Sequence, residues 1–325
     1  MNKKIIVFGG GTGMSCLLKG LKEFPVDITA VVSVCDDGGS TGILRNEFDI
    51  PAVGDIRKIL VSLSEKDETL GKLLNYRFKS YGNLDNHTVG NLLMTAAIEM
   101  TGSIKQSIKL LGKVLNLSGK IIPFTEDNID LCAEMEDGEI IKGEHFITQS
   151  SKKIKKVFYE EQPYVSNNLI REIDDAEIIV LSMGSIYTSI LPCLLSDKVK
   201  QAIDRSNASI IYTCNLFTQP GETDELKVSD HIKIINEYLG KKKIDTVIAN
   251  IGYIDENLAK KYLQKEQKDP VLLDTDETCK LVDDLITEDL ITVEENVFRH
   301  DTLKLGFLIF SKILSLEKKK NFENK

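Results

Sequence analysis

The sequence predicts an α/β protein of three layers, a Rossmann-like fold with a mainly parallel sheet and a small β-hairpin excursion. Three observations lead there. Short apolar runs rich in β-branched residues recur along the chain, at 4–8, 28–34, 176–182, 208–214 and 245–250. Segments with apolar residues at helical spacing separate them. Polar, glycine-rich segments follow several of the runs, as in an open parallel sheet whose ligands gather at the carboxyl ends of its strands.

Taken in order, KIIVF (4–8) runs into glycines and fits a strand buried on both faces. Met14, Leu17, Leu18 and Leu21 recur at helical spacing, and Pro25 ends that helix before ITAVVSV (28–34). These pieces make a βαβ unit, whose crossover is almost always right-handed. From 55 to 116 the chain reads as mostly helical, with apolar stripes in DIRKILVSL, TLGKLLNYRF, VGNLLMTAAIEM and SIKQSIKLLGKVL. Between 120 and 160, IIPFT, IDLCAEM and EIIKGEHFIT read as strands of a β-rich excursion around an Asp137-Gly138 turn. Strands resume at AEIIVLS, ASIIYTC, DTVIAN and VLLD (271–274); VSDHIKIINEYLG is a helix with Ser229 placed to cap it. A last helix follows Asp301 or Thr302 as cap, and its basic end, 317–325, is expected to fray. With no linker, repeat or low-complexity stretch, residues 1–325 read as one α/β domain.

Composition narrows the function. With 325 residues, 42% hydrophobic and 28% charged, the chain has material for a sizeable core. A net charge of −9 argues against a general nucleic-acid binder. No stretch reaches the roughly 18 apolar residues of a membrane span, and 4–8 is too short for a signal-peptide core. Cysteines 16, 35, 132, 193, 214 and 279 show no CxxC or metal-like spacing, which points to reduced thiols and a cytoplasmic location. A homo-oligomer is expected from frequency alone.

The candidate site lies at the strand ends. Gly9, Gly10, Gly11, Thr12 and Gly13 (GGGTG) miss the GxGxxG fingerprint, because Met14 or Cys16 takes its last position. No Gly-Lys-Ser/Thr follows, so this is not a Walker A loop. A glycine turn opening a helix still suits an anion, and phosphate binding is preferred over a purely structural turn. Asp36, Asp37, Gly38 and Gly39 follow the second strand; two adjacent carboxylates suit a ribose, Mg²⁺ or activation of a nucleophile, or else a solvated Asx-rich turn. Asp55 and Arg57, at and just after a helix start, are candidate ligand contacts, with an N-cap for Asp55 and a surface charge for Arg57 as the alternatives. His87 and Asn91, either side of the candidate helix cap Thr88, are further candidate ligand contacts, although a lone histidine is more often structural than a base. Gly184 and Ser185 follow one strand, and Asn215, Gln219 and Asp224 follow the next. Arg299 suits a diphosphate clamp or a surface ion pair equally.

FGGGTG, VCDDGGSTG, VGDIRK, HTVGNLL, GSIYTSILP, CNLFTQPGETD, SDHIK and RHDT stand in the order seen in one family. The chain resembles the bacterial gluconeogenesis factors of the YvcK/GlmR type, which are related to the CofD 2-phospho-L-lactate transferases. The resemblance implies a regulatory protein that binds UDP-sugars, UDP-N-acetylglucosamine or UDP-glucose, and supports cell shape and cell-wall precursor supply during gluconeogenic growth. It implies glutamine-fructose-6-phosphate aminotransferase as a protein partner. Gly9 to Gly13 would meet the diphosphate, Asp36 and Asp37 would share the cleft, and Gly184, Ser185, Asn215, Gln219, Asp224 and Arg299 would line it. Leu-Ser-Met-Gly-Ser stands where the family has Gly-Pro-Gly-Ser, Thr41 where it has a second serine, and Cys35 where alanine is common.

Three functions follow. One is a nucleotide-sugar sensor without turnover and without an obligatory cofactor. Another is a Mg-dependent transferase of a phospho group from a nucleotide-diphosphate donor, with Asp36 and Asp37 as its catalytic or metal-binding carboxylates. The third, an NAD-dependent oxidoreductase, is weakest because the fingerprint fails, although NAD as a diphosphate would fit such a seat.

Overall fold

A computed structural model describes residues 2–66, 68–255, 259–260, 268–294 and 297–323. Strand β1 (Lys3–Gly9), helix α1 (Gly11–Leu21) and strand β2 (Val26–Val32) form the expected βαβ unit, with the two strands parallel. Helices α2 (Gly39–Phe48), α3 (Gly54–Leu63), α4 (Glu68–Asn75), α5 (Val89–Thr101) and α6 (Ile104–Leu115) follow. Thr88 caps α5 through Asn91 N–H at 3.1 Å.

Next come β3 (Gly119–Pro123), β4 (Cys132–Met135), β5 (Ile140–Lys142), α7 (Glu144–Gln149) and β6 (Ile154–Phe158). After α8 (Asn167–Asp175) and β7 (Ile178–Leu181), a π turn (Ile186–Ile190) and a 3₁₀ turn (Leu191–Leu194) lead to α9 (Asp197–Arg205). The chain continues through β8 (Ser209–Thr213), α10 (Val228–Tyr238), β9 (Thr246–Asn250), a short helix (Thr275–Thr278) and β10 (Asp284–Glu288). A hairpin of β11 (Ile291–Glu294) and β12 (Val297–His300) then enters the C-terminal helix, Thr302–Glu323.

Seven strands form one parallel sheet in the order β3-β2-β1-β7-β8-β9-β10. The fold class is the one the sequence predicts. Strand β1 is apolar on both faces because it is covered on both: Ile6 and Phe8 enter one core cluster, Ile5 and Val7 the other. Strand order reverses at β1, which has β2 on one side and β7 on the other. The carboxyl ends of β1 and β7 therefore flank the crevice where open α/β sheets receive ligands.

Four local expectations need correction. IIPFT is not part of the excursion: it supplies β3, the edge strand of the main sheet, while the excursion is the antiparallel sheet β5-β4-β6. EIIKGEHFIT gives strand β5 only as far as Lys142. Gly143 then turns the chain at φ 99°, and Asp37 Oδ1 accepts the His145 N–H at 2.7 Å, starting α7 instead of a longer strand. VLLD is extended but joins no named strand; Val271 N–H reaches Leu216 O and Val228 N–H reaches Leu272 O, tying two loops together. Ser229 lies inside α10, whose N-cap is Lys227, and its N–H and hydroxyl both donate to Asp274. Each correction has one cause: a partner distant in sequence outbids the local pattern.

The C-terminal helix is capped by Asp301, which accepts the Lys304 N–H at 2.9 Å, and its backbone is helical through Glu323. It packs on α1, where a Cβ on Gly20 would overlap the Thr302 carbonyl. Phe24 stacks on Phe310 with centroids 5.4 Å apart. All six cysteines are free thiols. No helix among the described residues is long and apolar enough to cross a membrane.

Candidate ligand cleft

A cleft of about 500 Å³ opens at the β1/β7 switch point. Its floor is the turn Gly10–Gly13, and Met183, Gly184 and Ser185 after β7 form one wall. Asn215, Leu216, Phe217 and Gln219 after β8 extend that wall, with Lys268 beyond them. Phe298, Arg299 and His300 of β12 close the opposite side.

Local chemistry shapes each part. Helix α1 has glycine at its N-cap and no side-chain cap, so its first amide N–H groups are free to meet an anion. Gly11 holds φ 65°, a conformation costly for residues with a Cβ, and nothing lies near where that Cβ would be. Gly13 is required for a different reason: a Cβ there would overlap the main-chain carbonyl of Met183. The two loops flanking the crevice thus pack backbone to backbone. Gly13→Ala is expected to cost about 1–3 kcal/mol by overpacking, read as a lower urea midpoint; an unchanged midpoint would contradict this packing.

Asn215 fixes the opposite loop. Its Oδ1 accepts the Gly184 N–H and its Nδ2 donates to the Gly184 carbonyl, both at 2.7 Å. Ser185 accepts the Thr188 N–H at 3.0 Å and donates its hydroxyl to Glu222. Burial pushes the Glu222 carboxyl up to about 7, against the lowering effect of the Ser185 hydrogen bond. Burial also lowers His300 to about 4, so it is neutral at pH 7, and its Nε2 lies 3.2 Å from the Cys214 carbonyl.

Behind the glycine turn is a group of carboxylates. A Cβ on Gly10 would come within 2.5 Å of Asp55 Oδ2, which places Asp55 directly beneath the turn. Asp55 pairs with Lys58 at 2.9 Å. Burial and then the charge of Asp55 raise the Asp36 carboxyl, whose Oδ1 accepts the Gly38 N–H at 3.0 Å. Glu144 is raised well above its ordinary value by burial, then by Asp36 and Asp55.

The structure brings together nine of the predicted residues as cleft lining: Gly10, Gly11, Thr12, Gly13, Gly184, Ser185, Asn215, Gln219 and Arg299. Gly9 ends β1 just below. The others are committed elsewhere. Asp37 caps α7 through His145 N–H rather than facing the cleft, and Gly38 and Gly39 turn the chain into α2. Asp37→Ala is expected to lower stability by about 1 kcal/mol, the value of a helix cap, and Asp37→Asn by less; equal urea midpoints for all three proteins would refute the capping role.

Asp55 lies in the first turn of α3 and is not its N-cap, which is Val53. Arg57 is no surface charge: it is 7% exposed, donates to Asn75 Oδ1, and packs its stem against Gly90. His87 Nδ1 lies 2.9 Å from Ser40 Oγ, which also accepts from Asn91 Nδ2 at 3.1 Å. These three form a buried polar contact between α2 and α5, consistent with a structural histidine. Asp224 accepts the Gly221 N–H at 2.7 Å and shapes its own loop.

For a metal at Asp36 and Asp37, the two carboxylates are turned toward different partners. No group of three His, Cys, Asp or Glu side chains among the described residues is arranged to hold an ion. Asp36 and Asp37 therefore do not converge on one point through their side chains. Sequence reading missed Glu222, Lys268, Phe217 and Phe298. Glu222 and Phe217 sit within the strand-end segment NLFTQPGETD, where polar density was the available signal, whereas Lys268 has no local signature.

The family model described as "2-phospho-L-lactate transferase CofD" matches residues 5–291. The gluconeogenesis factor of Bacillus subtilis (strain 168) is 41% identical over 307 residues, covering 94% of this chain and 96% of that protein. A putative gluconeogenesis factor of Aquifex aeolicus is 40% identical over 321 residues, covering 96% and 97%. The X-ray structure of protein BH3568 from Bacillus halodurans superposes with a TM-score of 0.92 at 40% identity, covering 95% of this chain and 100% of that one. On sequence and fold alike, the chain belongs to the CofD family, in full-length relationship to the bacterial gluconeogenesis factors.

Proposed function

We propose that the protein binds a nucleotide-sugar diphosphate, UDP-N-acetylglucosamine or UDP-glucose, in this cleft and acts as a regulator through the bound state. One observation carries the reading. The uncapped N-terminus of α1, on a glycine turn at the sheet's switch point, faces a cleft whose far side carries Arg299. Free helix N–H groups and a guanidinium are the two donors that suit a diphosphate. Phe217 and Phe298, with ring centroids 5.1 Å apart, offer apolar surface beside those polar donors, a usual composition for a small-molecule site. The relatives' name, gluconeogenesis factor, supports a role in carbon supply; the hexosamine-forming aminotransferase is proposed as the regulated partner on the family resemblance alone.

Because a ligand that binds only the folded state stabilises it, millimolar UDP-N-acetylglucosamine is expected to raise the melting temperature. UDP should do so less, and NAD least if the sugar contributes contacts. Absence of any shift with either UDP-sugar would end the proposal. The match to the transferase family supports a second reading, transfer of a phospho group from a nucleotide-diphosphate donor. It predicts nucleotide release from such a donor with Mg²⁺ present, detected by chromatography; donor left intact would remove it.

A further inference from the structure

We infer that the β3 edge of the main sheet, with the lysine face of α6 beside it, is a docking groove for an acidic, extended segment of a partner protein. The surface is remote in sequence from the cleft loops and independent of the ligand proposed for them.

Strand β3 closes one end of the seven-stranded order, so among the described residues no strand pairs with its outer side. The Phe124 N–H donates to Val32 O at 2.9 Å. Successive residues of a strand in a parallel ladder present their backbone groups to opposite sides, so Lys120 and Ile122 face β2 while Ile121 faces outward. A groove of about 670 Å³ runs along this edge between α6 and the start of α8. Ile108, Ile121 and Ile122 floor it, each nine-tenths or more buried.

Charge identifies the occupant. Lys105, Lys109 and Lys113 stand four residues apart on α6, so they share one face, and Lys120 adds a fourth cation from the strand. Like charges at this spacing destabilise a helix by a few tenths of a kcal/mol per pair. Lys120 pairs with Glu172, but no carboxylate among the described residues pairs with the ammonium groups of Lys105, Lys109 or Lys113. This basic stripe belongs to a chain of net charge −9, so it is a local feature rather than a general one. An extended segment would find outward backbone groups at Ile121 and an apolar floor, and its carboxylates would meet the lysines. That is strand addition with charge complementarity.

The test uses the full-length protein and a short synthetic peptide alternating Glu with Val and Thr. Binding is followed by fluorescence anisotropy, and amide hydrogen exchange is followed at Ile121. Expected results are saturable binding that weakens with salt, slowed exchange at Ile121, and about tenfold weaker binding to Lys109→Glu/Lys113→Glu. The same peptide N-methylated at alternate residues, tested on the unaltered protein, should lose binding because its backbone can no longer pair. No binding at millimolar peptide overturns the inference, as does binding indifferent to both the charge reversal and N-methylation. Preference for an oligonucleotide or for anionic vesicles over the peptide also overturns it.

Discussion

The unaltered protein is expected to lose stability relative to Glu222→Gln as pH rises from 5 to 8. The ordinary glutamate carboxyl is near 4.5, and in the fold burial raises Glu222 to about 7. Between those values the folded protein holds a proton that the unfolded chain has released, so each step up in pH favours unfolding. The loss is complete above about pH 7 and absent below the unfolded value. Its size is on the order of 2 kcal/mol, less than full burial would give because Glu222 keeps some solvent contact. Glutamine keeps an acceptor for the Ser185 hydroxyl but cannot ionise. Glu144 and Asp36 are raised in the same direction, whereas burial lowers His231 and His300 to about 4 and adds stability as pH rises towards 6.5; these groups are common to both proteins and cancel in the difference. Urea denaturation at pH 5, 6.5 and 8 measures this; parallel slopes for the two proteins would show that Glu222 is not the titrating group. Since Ser185 lines the cleft and donates to Glu222, the same titration is expected to act on the loop that forms the cleft wall.

Arg299→Ala is expected to weaken UDP-N-acetylglucosamine binding ten- to a hundredfold, the equivalent of about 1.5–3 kcal/mol for hydrogen bonds to a charged group. Arg299 is exposed, lines the cleft, and forms no ion pair among the described residues. Its removal should therefore leave the ligand-free melting temperature nearly unchanged while the ligand-induced shift shrinks. Arg299→Lys should recover part of the affinity, since it restores the charge but not the planar fork. Calorimetric titration of the three proteins decides this. An affinity unchanged by the alanine substitution would contradict the proposed role of Arg299 as a diphosphate donor.

The legible parts of this protein were those whose signal is local. KIIVF, ITAVVSV and the later apolar runs announced strands because each is buried on two faces, and burial on both faces leaves an apolar run whatever the neighbours are. Thr88 and Asp301 were readable as caps because a cap acts within its own turn. The convergence of GGGTG, Gly184-Ser185 and Asn215 on one cleft was also legible, since parallel strands place their carboxyl ends on one edge.

What only the tertiary structure decided depends on partners far apart in the chain. Asp37 looked like half of a catalytic pair, yet it starts α7 more than a hundred residues later. Arg57 and His87 looked like surface or site residues, and both are buried in contacts between helices. Ser229 and VLLD were misread because Asp274 and Leu216 compete for their hydrogen bonds across the fold. The sequence by itself determined five strands of the sheet (β1, β2, β7, β8 and β9) and the glycine turn, products of short-range periodicity and of burial; the strand order, and with it the switch point at β1, was decided by the tertiary structure. Which carboxylate ionises, which glycine must lack a Cβ and which strand remains an open edge follow from distances between segments, and those exist only once the chain has folded.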